Sequence, residues 1–232
     1  MNNDLFSLDG KVAVVVGGGG VLAGAMADGL ARAGAAVVIF DFHKENGEAR
    51  CAAIRSLGAR SVAIQGDASR KEDLERALTT TVGELGGVDI LINAAGVNSA
   101  TPFFEITEAE WQRILDINLK SVFLACQVFG KAMVDGGRGG SIINISSASS
   151  GPPLSKVFTY SVTKGGVNQI TQFLAREWAP HGVRVNSITP GFFPADQNRG
   201  LLFNPDGSPT ERGRQILNHT PMKRLGSPEE LL

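Results

Sequence analysis

Six short apolar runs, each followed by a segment of helical periodicity, constrain the fold of this chain more than any other feature. They are VAVVV (12–16), AVVIF (36–40), SVAIQ (61–65), VDILIN (88–93), SIINIS (141–146) and VRVNSI (183–188). Runs with Val and Ile on both faces are the mark of a parallel sheet covered by helices on each side. Between them the apolar spacing turns helical, as in Leu22, Met26, Leu30 and Ala33. The alternation predicts an α/β fold, a doubly wound parallel sheet flanked by helices. No repeat, low-complexity tract or linker divides the chain, so residues 1–232 read as a single domain. The polar stretch at about 192–218 lacks such a pattern and reads as a lid.

The overall balance removes several classes of function. Lys and Arg number 22 against 23 Asp and Glu, which gives no electrostatic case for nucleic acid or an acidic membrane surface. Gly, Asp or Arg interrupts every apolar stretch before the roughly eighteen residues of a membrane span. The opening MNNDLFSLDGK lacks both the basic and the apolar region of a signal peptide. Cys51 and Cys126 lie far apart in helical segments and read as buried free thiols, as expected in a reducing cytoplasm. Three scattered histidines and two cysteines make no metal-ligand spacing, so no metal is expected.

Chemistry begins behind the first run. GGGGVLAGAM (17–26) places glycines between a strand and a helix, where the backbone can lie against a pyrophosphate and free N–H groups can bind it. Gly17, Gly19, Gly20, Val21 and Leu22 are the expected contacts. Asp41, about twenty residues on, ends the second strand. A carboxylate there accepts from a ribose 2′-hydroxyl and repels a 2′-phosphate, which favours NAD over NADP, although His43 and Lys44 stand beside it. Asp67 and Ala68 follow the third run. Asp67 is placed either to meet an adenine edge or to cap a helix starting near Ser69 or Arg70.

A second constellation lies in SSASSGPPLSKVFTYSVTKGG (146–166). Tyr160, the chain's sole tyrosine, and Lys164 are four residues apart on one helix face. Ser147 ends the fifth strand, at the edge where such sheets bind ligands. A phenol titrates near pH 10, a nearby ammonium stabilises its phenolate, and a serine hydroxyl can donate to an oxygen as charge develops on it.

With these residues in place the chain resembles the short-chain dehydrogenase/reductase family over nearly its whole length. The resemblance rests on the glycine loop, NAAG (93–96), NLKSVF (118–123), INISS (143–147), YSVTK (160–164) and ITPG (188–191). It implies a Rossmann-like fold with Tyr160 as general acid/base and Ser147 polarising the reacting oxygen. Lys164 would lower the tyrosine pKa and bind the nicotinamide ribose, and Asn118 would hold a relay water through its helix. It also implies cofactor contacts from Asn93, Ala94, Ala95, Gly96, Pro190, Gly191 and Phe193. The sequence departs from the family pattern at Val21 and Ala23 in the loop, at Ala94, and at Ala195, where a Thr is common.

Within the family, GGGGVLAGAM, ADQNRGLL, DGSPTERG and ILNHTPMKR resemble the D-mannonate oxidoreductase (fructuronate reductase) branch. That likeness implies NAD(H)-dependent interconversion of D-fructuronate and D-mannonate, with another sugar, polyol or 3-oxoacyl substrate as the alternative. A catalytically silent NAD-binding sensor or scaffold is the alternative outside enzymes. A sugar acid needs a cation for its carboxylate and matched polar groups for its hydroxyls. Arg199, Asn198 and Gln197 in the lid, with Asn98 and Lys156, are the candidates beside Ser147 and Tyr160. Family relatives continue past GSPEELL through a helix and a last strand, so a strand is expected to be missing at one sheet edge. The resemblance also implies a homo-oligomer, dimer or tetramer, if the C-terminus is complete.

Overall fold

The computed structural model describes residues 5–231, apart from residues 153 and 155 and the side chains of residues 196 and 197. Six strands form one parallel sheet: β1 (Val12–Val16), β2 (Ala36–Asp41), β3 (Ser61–Gln65), β4 (Ile90–Asn93), β5 (Gly140–Ile145) and β6 (Val183–Ile188). Their spatial order is β3-β2-β1-β4-β5-β6, so the winding reverses between β1 and β4. Among the described residues β3 and β6 are the edges, and β6 exposes Arg184 and Asn186. Three strands coincide with their apolar runs. β2 is one residue longer than its run, which brings Asp41 into register with Gln65.

Alternate residues of each strand face opposite layers. Val14, Val16, Val38, Phe40, Leu91 and Ile142 pack against α3 (Lys71–Leu85), the long helix α4 (108–136) and α5 (Phe158–Trp178). Ala13, Val15, Val37, Ile39 and Ile92 pack against α1 (Val21–Arg32) and α2 (Lys44–Ser56). Each fully buried Val, Ile or Phe contributes about 1.5–3 kcal/mol, and two such layers fix the register. Small residues let α1 lie close to its neighbours: Ala23, Gly24, Ala27 and Ala31 are the packed ones. The Arg50 guanidinium lies across Gly24 and pairs with Asp28 at 2.7 Å.

α4 is not uniform. Its α-helical pieces Glu108–Leu115, Ser121–Ala125 and Lys131–Gly136 are joined by π turns at Asp116–Lys120 and Cys126–Gly130. Residues Glu108–Asp135 are long and apolar enough to cross a membrane by length and composition. Here Val122, Ala125, Cys126 and Phe129 are buried in the core against the sheet, the position of a core helix. Cys51 and Cys126 are both free and buried, and burial pushes the Cys126 thiol up to about 12.

The segment at about 192–218 corrects the expectation of irregular chain. It contains two short helices, α6 (Asp196–Leu202) and α7 (Glu211–His219), joined across a bridge between Phe203 and Pro209. Thr210 caps α7 by accepting from Gly213 N at 3.0 Å, and Leu202 is buried. Beyond it, Gly226 passes directly under the Phe193 ring, and Leu231 joins the core layer that holds α1.

Candidate active site

Every strand delivers one piece of the site at its carboxyl end: the glycine loop after β1, Asp41 on β2, Asp67 after β3, residues 94–96 after β4, Ser147 after β5 and Pro190–Gly191 after β6. The loop and residues 94–96 lie side by side at the switch point, where open α/β sheets bind ligands.

The loop is shaped by close backbone approach. Gly17 has φ +78°, and a Cβ there would stand 2.8 Å from the backbone of Ala95. A Cβ on Gly19 would meet Asn46 at 2.7 Å and the Asp41 carboxylate at 2.9 Å. Gly20 caps α1 without a side chain, leaving the first-turn N–H groups around Val21 and Leu22 to a ligand. Asp41, 8% exposed, accepts from Gly19 N through Oδ2 and from His43 N through Oδ1, both at 2.9 Å. Its carboxylate is therefore held in place beside the loop. This cradle of glycines, an uncapped helix N-terminus and an oriented carboxylate fits a dinucleotide: pyrophosphate on the loop, adenine-side ribose on Asp41.

The catalytic candidates converge on the other side of the switch point. Asn118, in the first π turn, is fully buried and clamps Val97 by both its N–H and its carbonyl at 2.8 Å. It also donates to Thr163 at 3.3 Å, and Thr163 donates to the Tyr160 carbonyl at 2.6 Å. Gly96 faces both Asn118 and the Lys164 ammonium. Ser147 is half-buried at the start of a short turn, Ala148–Ser150, and its hydroxyl is near enough to Tyr160 to lower the phenol's pKa. Lys164, 4% exposed, donates to the Ile145 carbonyl at 2.6 Å and lies 5.5 Å from the Tyr160 ring centroid.

The electrostatics differ from the expectation. Burial pushes the Tyr160 phenol above its ordinary range, and the nearby Ser147 hydroxyl works against that push. Burial also lowers Lys164 to about 8. The lysine makes its short contact with the Ile145 carbonyl rather than with the phenol, and burial is the largest influence on Tyr160.

Other expected residues fall in different places. Asn93 is 2% exposed and points into the core, donating to Asn144, its register partner on β5, at 2.8 Å. Asn144 in turn donates to Thr171 at 3.0 Å. Asn93 therefore ties β4 to β5 and does not face the cofactor cradle. Ala94 and Ala95 bring backbone only, with Ala94 N bonded to the Val16 carbonyl. Asp67 accepts from Ser69 N and Oγ through Oδ1 and makes a tight turn, while α3 starts later, at Lys71. Ala68 is half-buried against the core. The Pro190 carbonyl holds Ala148 N at 3.1 Å, Gly191 is open on its Cβ side, and Phe193 is half-buried against Gly226.

Of the substrate candidates, Asn198 is occupied. It accepts from Ala195 N and donates to the Phe193 carbonyl, both at 2.8 Å, which closes the start of α6 and corrects its assignment to the substrate. Asn98, Lys156 and Arg199 are exposed, and Lys156 holds a positive φ of 62° in the loop before Tyr160. The side chain of Gln197 lies outside the described residues. Sequence reasoning passed over Thr163, Asn144 and Ser149. The i+3 spacing of Thr163 from Tyr160 was the one available sign.

The fold and this site define the class. The chain matches the family of short chain dehydrogenases over residues 11–202 and belongs to the short-chain dehydrogenase/reductase family, oxidoreductases acting on CH–OH groups. It is 40% identical to the Bacillus subtilis oxidoreductase UxuB, described as uncharacterized, over 97% of this chain and 86% of that one. It resembles the NAD-bound crystal structure of a provisionally named D-mannonate oxidoreductase from Haemophilus influenzae, with TM-score 0.92 and 33% identity over 98% of this chain and 87% of that one. It also resembles a gluconate 5-dehydrogenase from Burkholderia cenocepacia in complex with NADP and tartrate, with TM-score 0.90 and 30% identity over 98% and 87%.

Proposed function

We propose that this protein interconverts the ketone and secondary alcohol of a sugar acid, D-fructuronate and D-mannonate, with NAD(H). The chemistry is carried by one observation: Ser147, Tyr160 and Lys164 converge at the end of β5, on the cradle that fits a dinucleotide. A nicotinamide dinucleotide held there supplies or takes up the hydride. Tyr160 gives a proton to the carbonyl oxygen during reduction, or removes it during oxidation, and Ser147 donates a hydrogen bond to the same oxygen. Lys164 binds the adjoining ribose and, as a cation, favours the phenolate when Tyr160 has lost its proton. Asn118 holds the π turn against Val97, and through Thr163 it steadies the backbone of Tyr160.

NAD is favoured by the oriented Asp41 carboxylate, which a 2′-phosphate would have to approach in a partly desolvated site. The sugar-acid reading is supported by the likeness to the D-mannonate oxidoreductase and the gluconate 5-dehydrogenase; the second of these makes a gluconate-type keto acid the alternative. Arg199, exposed on α6, is the cation we assign to the substrate carboxylate. Cytoplasmic residence accords with the free thiols, and a homo-oligomer accords with the apolar α4–α5 face. That face carries a cavity of about 540 Å³ lined in part by Leu115, Leu119, Phe123 and Ile170.

The test is turnover of sugar acids, neutral ketoses and 3-oxoacyl thioesters with NADH and NADPH. Fructuronate with NADH should be reduced fastest, and Arg199→Ala should raise its KM about tenfold while sparing neutral ketoses. Efficient reduction of ketoses or thioesters with fructuronate inert would retire the sugar-acid reading. Tyr160→Phe should abolish turnover and leave NADH binding intact.

A further inference from the structure

Two residues beyond Ser147 lies a serine that the reaction as described does not use. Ser149 is 2% exposed, yet it directs both of its donors at one atom. Its backbone N–H reaches Ser147 Oγ at 3.2 Å and its hydroxyl donates to the same oxygen at 3.1 Å. A serine hydroxyl has two acceptor lone pairs and one proton. With both lone pairs taken, the proton alone is left, and it must point away from Ser149. The backbone around it is fixed separately: the Ser147 carbonyl accepts from Ser150 Oγ at 2.7 Å, and Ser150 Oγ accepts from Asn168 on α5 at 2.9 Å.

We propose that Ser149 is a positioning residue, which saturates the acceptor side of the Ser147 hydroxyl and so commits its one proton to donation, to the reacting oxygen when substrate is bound. The inference rests on the reading of Ser147 as the group that polarises that oxygen. Direction is what matters chemically. Charge developing on an oxygen is stabilised by a donor, and a rotor free to turn can accept from the phenol instead, which favours the protonated phenol and misplaces the donor.

The experiment compares wild type with Ser149→Ala, Ser149→Cys and Ser149→Thr, reading kcat, KM and the pH profile of alcohol oxidation. Ala removes the hydroxyl donor, Cys keeps the shape with a weak donor, and Thr restores the donor. Ser149→Ala and Ser149→Cys should lower kcat about three- to tenfold with KM within about twofold, the worth of one hydrogen bond felt in the transition state. The rising limb of the pH profile should move to higher pH in both, and Ser149→Thr should return it toward wild type. In a Ser147→Ala background, Ser149→Ala should change neither kcat nor the profile further, because the atom it acts through is gone. A full, multiplicative loss in that background would overturn the proposal, as would an unmoved pH profile in both the Ala and Cys variants. If Ser147→Ala alone keeps wild-type kcat, the polarising role of Ser147 fails and the proposal fails with it. If Ser147→Ala is slow but Ser149→Ala and Ser149→Cys match wild type, only the role of Ser149 fails. Should the Ala variant not fold, the Cys variant carries the same comparison.

Discussion

Lys164 is expected to weaken the fold it serves, and Lys164→Met should reveal this as a stability difference that reverses with pH. Burial lowers its pKa from an ordinary 10.5 to about 8. At about 1.4 kcal/mol per tenfold, that corresponds to roughly 3 kcal/mol for holding the ammonium out of water. Below pH 8 the group is charged in both folded and unfolded chains, and this penalty is fully present. Between pH 8 and 10.5 the unfolded chain keeps a proton that the folded chain has released, so stability rises with pH. Tyr160, raised by burial, acts in the opposite sense above pH 10, where the folded chain keeps a proton the unfolded one has lost. Replacement by Met removes the charge but leaves the Ile145 carbonyl without its 2.6 Å donor, a loss of about 1–3 kcal/mol. The variant should therefore be about 1 kcal/mol more stable than wild type at pH 7 and about 1–2 kcal/mol less stable at pH 10. For a domain of this size each kcal/mol moves Tm by roughly 2–4 °C, within reach of calorimetry at the two pH values. Turnover should be lost at both. A variant destabilised equally at pH 7 and pH 10 would show that the ammonium is not held at a cost, and the reasoning would fail.

Two further outcomes follow from the geometry. Asp41→Ala strips the acceptor from Gly19 N and His43 N and should lower stability by about 2–3 kcal/mol. It should also shift the ratio of kcat/KM for NADPH over NADH upward at least about tenfold; an unchanged ratio would show that the carboxylate does not select the cofactor. Phe123→Glu puts a charge into the apolar α4–α5 face and should convert an oligomer to monomers in light scattering coupled to size exclusion, whereas a wild-type protein already monomeric would refute that interface.

The inner strands β1 and β2 were legible because both of their faces are buried, a demand that leaves VAVVV and AVVIF unmistakable, whereas the edge strand β6 buries Val183 and Val185 and exposes Arg184 and Asn186 between and beyond them. The helix of the candidate site was legible because Tyr160 and Lys164 share a face only if the chain is helical there. Orientation at strand ends was not. Asn93 follows Leu91 at period two and therefore faces α3–α5, but the sequence alone does not say which face of β4 meets the cofactor. The π turns were hidden because they depend on a backbone bond from Ser121 N to the Asp116 carbonyl, with the Ser121 hydroxyl on Ile117, and no residue pattern announces them. The two short helices were passed over because α6 and α7 have only seven and nine residues, too few for apolar periodicity to stand out. Their signal lies in the caps, Thr210 above all.

The hydrogen bonds described within 195–223 close on partners inside that segment or in the irregular stretch just before it: Asn198 on Ala195 and Phe193, Thr210 on Leu201, Arg214 on Pro209, Lys223 on Asn218. The chemistry, by contrast, rests on strand ends braced through Asn93, Asn144 and Thr171 far beneath. Roof and floor are thus separable inventions. Mutation can rewrite the roof, residue by residue or as a whole exchanged piece, without loosening a bond in the floor. A lineage built this way can diverge from one polyhydroxy acid to another while its proton-transfer apparatus stays untouched.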